Sequence, residues 1–231
     1  MKRILATCVL LLLASVQQAS AVTIHSEDFN SNGGGYSVDN EGSPEGPWLY
    51  DLTSGTWFAN GSENLGAPSH SRLISPPITV THNSSVDISF THRYSIEGDL
   101  WDGAAVFVSV NGGAFTQVPN SAFTANGYTG FGLIGNHELL GGEGYNGDSP
   151  GYGAGMFITS TANLGTFSGD DSIRLLFLGA WDEFAKGQTP NWQIDSVQVT
   201  QAVPEPTSIA LIAMAGVGLA GFVRRRITKR D

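Results

Sequence analysis

Between residues 24 and 200 the chain alternates apolar and polar positions in short runs, each closed by Gly, Asn, Asp or Pro. Ile88-Ser89-Phe90-Thr91-His92-Arg93-Tyr94 puts Ile88, Phe90, His92 and Tyr94 on one face, the period-2 mark of a half-buried strand. Val106 to Val110, then Asn111-Gly112-Gly113, then Ala114 to Val118, predicts a hairpin whose turn accepts positive φ. Ile173-Arg174-Leu175-Leu176-Phe177-Leu178 is apolar on nearly both faces and predicts a central strand. Outside the termini no stretch holds a helical period for three turns, and no internal repeat is found. The expected fold is all-β, a two-sheet jelly-roll β-sandwich over residues 22–202.

The final strand pattern breaks its own period. In Trp192-Gln193-Ile194-Asp195-Ser196-Val197-Gln198-Val199, Trp192 and Ile194 share one parity, and Val197 and Val199 share the other. A strand can bury both sets on one face only if its phase slips between them, so a β-bulge is expected with Asp195 at the slip.

The two ends follow other patterns. Lys2 and Arg3, an apolar run from Ile4 to Val16 and the small residues Ala19-Ser20-Ala21 make residues 1–21 a secretory signal peptide, read by the general secretion machinery. At the other end Val203-Pro204-Glu205-Pro206 precedes an uncharged Gly/Ala-rich run and the basic block Arg224-Arg225-Arg226. The prolines keep Glu205 on extended backbone. A transmembrane helix is expected at about residues 207–223, with the arginines on the cytoplasmic side. Residues 203–231 resemble the PEP-CTERM sorting signal of Gram-negative bacteria. The resemblance implies recognition by an exosortase, a membrane-embedded processing enzyme, with Val203, Pro204, Glu205, Pro206 and the three arginines as the sorting motif. It also implies a chain held in the inner membrane before processing and then placed at the cell surface or in the extracellular matrix.

Charge narrows the partners of the central part. Residues 22–203 carry four basic side chains (Arg72, Arg93, Arg174, Lys186) against nineteen acidic ones, a balance of −15. Such a surface repels phosphate backbones and excludes nucleic acid as a partner. Cys8, the one cysteine, lies inside the signal peptide, so the exported part has no disulfide, thiol nucleophile or thiolate metal site. His137-Glu138-Leu139-Leu140-Gly141 opens like a zinc-protease helix but has Gly141 where the second His is required. No nucleophile elbow or phosphate-binding glycine motif is present. Glu97-Gly98-Asp99-Leu100-Trp101-Asp102 and Trp181-Asp182-Glu183 gather carboxylates beside aromatics, chemistry suited to a hard cation.

Glu27-Asp28-Phe29, the stretch from Glu97 through Trp101-Asp102-Gly103-Ala104 to Asn111-Gly112-Gly113, and Trp192 to Val197 carry a second resemblance, to MAM-like, immune-inhibitor-A-type and carbohydrate-binding jelly-roll modules. It implies a structural calcium shared by the first and last strands, held by Asp28, Asn30 and Asp195. Asn30 stands where such modules usually have an acid. Residues 126–155 hold eleven glycines with Tyr128, Tyr145 and Tyr152 among them, a vocabulary for sugar stacking that equally serves to pin a long loop. The expected function is a non-enzymatic surface or matrix protein that contacts extracellular polysaccharide or another surface partner. The alternative is a secreted hydrolase acting on polysaccharide or peptide.

Overall fold

Alternating strands bury one face only when a second layer covers it, and two antiparallel sheets cover each other here. A computed structural model describes residues 20–40, 47–61, 67–184 and 187–203. Most of the signal peptide, Pro204, Glu205, Pro206, Arg224, Arg225, Arg226 and the 207–223 helix lie outside the described residues. Among the described residues no helix is long and apolar enough to cross a membrane.

In chain order the strands are β1 (Ala21–Glu27), β2 (Ser37–Asp39), β3 (Leu49–Asp51), β4 (Thr56–Ala59), β5 (Ser69–Ile74) and β6 (Ile78–Thr79). Next come β7 (Ser84–Ile96), β8 (Gly103–Val110), β9 (Thr116–Gln117), β10 (Phe123–Ala125) and β11 (Gly130–Phe131). The last are β12 (Glu143–Gly144), β13 (Gly147–Asp148), β14 (Ile158–Phe167), β15 (Ser172–Trp181) and β16 (Trp192–Ala202). The first sheet runs β10-β14-β7-β16-β4-β3, with β1 beside β16 and β13 beside β7. The second runs β2-β5-β15-β8-β9, with β6 beside β15. The architecture is the jelly-roll sandwich expected from the alternation.

The core lies between the sheets. Val86, Ile88, Phe90, His92 and Tyr94 of β7 are all buried, as their shared parity requires. Phe177 of β15 crosses to meet Phe90 edge-on at 5.4 Å and Trp192 at 5.8 Å between ring centroids. Rings of this size each contribute about 1.5–3 kcal/mol on burial. β15 is the centre of its sheet, flanked by β5 and β8, and its outer side chains Leu176 and Leu178 are buried as well. The predicted hairpin forms: Phe107 pairs with Gln117, and Asn111 and Gly112 take positive φ at the turn.

β16 does what its broken period requires. Its register against β7 shifts between Ile194 and Ser196, so Asp195 is the bulged residue. Trp192, Ile194, Val197 and Val199 all end up buried on the inner face. The slip also marks a change of neighbour. Trp192 to Ile194 pair with β4, whereas Val197 to Ala202 pair with β1.

Candidate functional site

The outer face of the first sheet carries a groove of about 290 Å³ between β4, β16, β7 and the Thr189-Pro190 turn. Strand pairing sets its row of side chains: Arg93 on β7 opposes Gln193 on β16, which opposes Phe58 on β4. These side chains point outward because their neighbours His92, Ile194 and Trp57 point in. A hydrogen-bond relay crosses the groove. Arg93 Nε donates to Gln193 Oε1 at 2.7 Å, and Gln193 Nε2 donates to Thr56 Oγ1 at 2.8 Å. Thr56 and Ser54 hydroxyls meet at 2.8 Å, and Ser54 Oγ donates to Asp51 Oδ2 at 2.8 Å. A carboxylate can only accept, so every donor in the chain points from the guanidinium toward Asp51. The Ser54 hydroxyl and the Thr53 N–H hold the Asp51 carboxyl below its ordinary value. The Arg93 guanidinium also lies 5.3 Å from the ring centroids of both Tyr152 and Phe157. The polar groups of the groove are therefore fixed before any ligand arrives, beside the half-exposed ring of Phe58. Nothing in the sequence marks this groove, because Arg93 and Gln193 are a hundred residues apart.

The tyrosines of residues 126–155 lie elsewhere and correct an expectation. Tyr128 and Tyr145 are buried, 5.0 Å apart, and Tyr145 packs on Phe90, His92 and Tyr94. The Tyr128 hydroxyl receives the Val106 N–H at 2.9 Å. Tyr152 is buried beneath Arg93 and donates to Pro190 O at 2.8 Å. Stacking a sugar needs a ring face open to solvent. These three offer none and instead pin the segment, folded as β11, β12 and β13, onto one end of the sandwich.

Asp28, just past β1, lies within electrostatic reach of Asp195 on the bulge, where β16 exchanges β4 for β1. Burial raises the Asp195 carboxyl above its ordinary value and the Asp28 charge adds to that, while a Ser196 hydrogen bond opposes both. Asp28 Oδ1 accepts the Asn30 N–H at 3.1 Å, closing an Asx turn. Gly55, at φ +62°, brings bare backbone against Asn30, and a Cβ there would lie 2.7 Å from Asn30 Oδ1. Two carboxylates and an amide oxygen are hard donors and fit a calcium in kind.

Just past the Ile96 end of β7 a second acidic group converges. Glu97 follows β7 of the first sheet, Asp102 precedes β8 and Asp182 follows β15 of the second. Each offers an oxygen within 4.8 Å of the others. Burial, and then the charges of Asp182 and Glu97, push the Asp102 carboxyl up to about 8 despite a hydrogen bond from the Asp182 N–H. The outer face of the second sheet bears another groove, floored by Leu176, Leu178 and Phe107 and crossed by the Arg72–Glu138 pair at 2.7 Å.

A family model described as the PEP-CTERM protein-sorting motif matches residues 202–227, so the chain carries a sorting signal for export that starts on the last residue of β16. No curated protein matches the chain. Among solved structures, the K3 cleaved adhesin domain of Lys-gingipain from Porphyromonas gingivalis W83 is 12% identical with a TM-score of 0.42, covering 77% of this chain and 98% of that one. The CBM2 module of the evolved Dit of Lactobacillus casei BL23 phage J-1 is 8% identical with a TM-score of 0.44, covering 82% and 100%. The CBM22-1 xylan-binding domain of Paenibacillus barcinonensis Xyn10C is 12% identical with a TM-score of 0.37, covering 81% and 99%.

Proposed function

We propose that this chain is an exosortase-sorted surface or matrix protein whose sandwich binds extracellular polysaccharide, without turning it over, through the groove of Phe58, Arg93 and Gln193. The observation that carries the reading is the relay from Arg93 to Asp51. Planar guanidinium, amide and carboxylate groups, fixed in one row beside an aromatic ring, match the alternating hydroxyls and CH faces of a sugar chain. Ala202 lies nine positions beyond Gln193 along β16, about 30 Å of strand, so the groove is held away from the sorting motif. Asp51 is the one carboxylate among the described residues lining the groove, whereas glycoside hydrolysis uses two.

Titration calorimetry of the protein with the producing cell's own extracellular polysaccharide tests this. Saturable binding that Arg93→Ala and Phe58→Ala each weaken at least about tenfold supports it. Binding that ignores both substitutions, or none at all, removes it. A structural calcium at Asp28, Asn30 and Asp195 is a second proposal, favoured by the electrostatic reach of Asp28 to Asp195 at the bulge.

A further inference from the structure

We propose that Glu97, Asp102 and Asp182 form a calcium site that joins the two sheets at the end of the sandwich remote from the sorting motif. The proposal is independent of what fills the groove and of the seam between Asp28 and Asp195.

Asp102 carries the argument. It is 0% exposed, and its Oδ1 accepts the Asp182 N–H at 2.8 Å. Its Oδ2 is buried with no hydrogen-bond partner, and so is Oε2 of Glu97. A buried carboxylate oxygen without a donor is costly, and two beside a third acid are costlier. Asp182 uses Oδ1 to accept the Phe184 N–H at 3.0 Å, which anchors its carboxylate at the strand end. Three acids drawn from both sheets are thus held together with oxygens left over.

The donor set selects the ion. His137 acts on Asp182 electrostatically, but neither of its ring nitrogens is available to a metal. The Leu139 N–H donates to Nδ1 at 3.0 Å, so Nε2 bears the hydrogen and donates to Trp101 O at 2.8 Å. Only oxygens remain, which favours a hard cation. Calcium takes several carboxylates in a flexible shell, whereas magnesium demands a near-ideal octahedron and usually takes only one or two. Each of the three carboxylates places an oxygen within 4.8 Å of the others, so one cation can gather all three. Water completes the coordination on the side of the half-exposed Glu97. A bound ion would tie the end of β7 to the facing ends of β8 and β15.

The test uses the full-length chain in mild detergent, stripped with chelator and then titrated with calcium, magnesium or terbium. Calcium raises the melting temperature by several degrees, magnesium does so far less, and terbium emission is sensitised through Trp101 and Trp181, the neighbours of Asp102 and Asp182. Asp102→Asn and Glu97→Gln each lower calcium affinity at least about tenfold, while Asp195→Asn leaves that transition in place. In chelator Asp102→Asn is expected to stay folded, because the amide keeps the carboxyl's shape and can still accept the Asp182 N–H. Should it fail to fold, Glu97→Gln, at a half-exposed strand end, decides alone. A wild type indifferent to calcium overturns the proposal and assigns a proton to the cluster. A response that survives both substitutions, or that only Asp195→Asn removes, overturns it as well.

Discussion

Acid will destabilise this sandwich through the buried ring of His92. Its side chain is 0% exposed between the sheets, with ring centroids of Phe90 and Tyr145 at 4.5 and 4.9 Å. Trp192 Nε1–H donates to its Nδ1 at 3.0 Å. An indole can only donate, so the proton of the neutral ring sits on Nε2 and goes to Ser160 Oγ at 2.8 Å. Ser160 in turn donates to Asn126 O at 2.6 Å. A second ring proton would face the Trp192 N–H and carry a charge into an aromatic core, and burial pushes the imidazole down to about 3. In the unfolded chain the ordinary value is 6.5. As pH falls through 6.5 the unfolded state takes up a proton that the native state refuses, so stability is lost until about 3. The loss is about 1.4 kcal/mol per pH unit, or about 2.6 kcal/mol between about pH 7 and about pH 4.5. Urea unfolding followed by tryptophan fluorescence, on wild type and His92→Gln in parallel, isolates this effect because the other groups titrate alike in both. The advantage of wild type over the variant should shrink by about 2.6 kcal/mol across that range. An advantage constant to within about 0.5 kcal/mol would refute the neutral, indole-locked histidine.

Four further outcomes follow from the same geometry. Phe177→Ala, which empties the space between Phe90 and Trp192, should cost about 3–5 kcal/mol in the same unfolding assay. Arg93→Ala should cost about 1–2 kcal/mol, from two partly buried cation–π contacts and one hydrogen bond, as read by its denaturation midpoint. Deleting Asp195 leaves Trp192, Ile194, Val197 and Val199 on one parity and should preserve the fold, whereas deleting Gln198 turns Val199 outward and should cost about 2 kcal/mol or more; circular dichroism melts of the two deletions decide. In chelator Asp102→Asn should gain on wild type as pH rises from 3.8 toward about 8, since a raised carboxyl destabilises the native state above its unfolded value, and a flat difference counts against the buried, crowded acid.

What could be read along one line of sequence was whatever a single strand decides for itself. The parity of Ile88 to Tyr94 gave β7 its inner face, Asn111-Gly112-Gly113 gave the hairpin turn, and the parity conflict around Asp195 located the bulge. The sorting motif was equally legible, because its Pro-Glu-Pro, apolar run and arginines are contiguous. Tertiary structure decided everything that depends on which strands become neighbours. The tyrosines of residues 126–155 had a sugar-binding composition, but their position beneath β7 and Arg93 made them core. Arg93 and Gln193 became a pair through strand register, and the bond from Asp182 N–H to Asp102 spans eighty residues. Periodicity is a local property of the backbone and survives in the sequence. Burial and the convergence of charges are set by pairing across long loops, and only the closed sandwich specifies them.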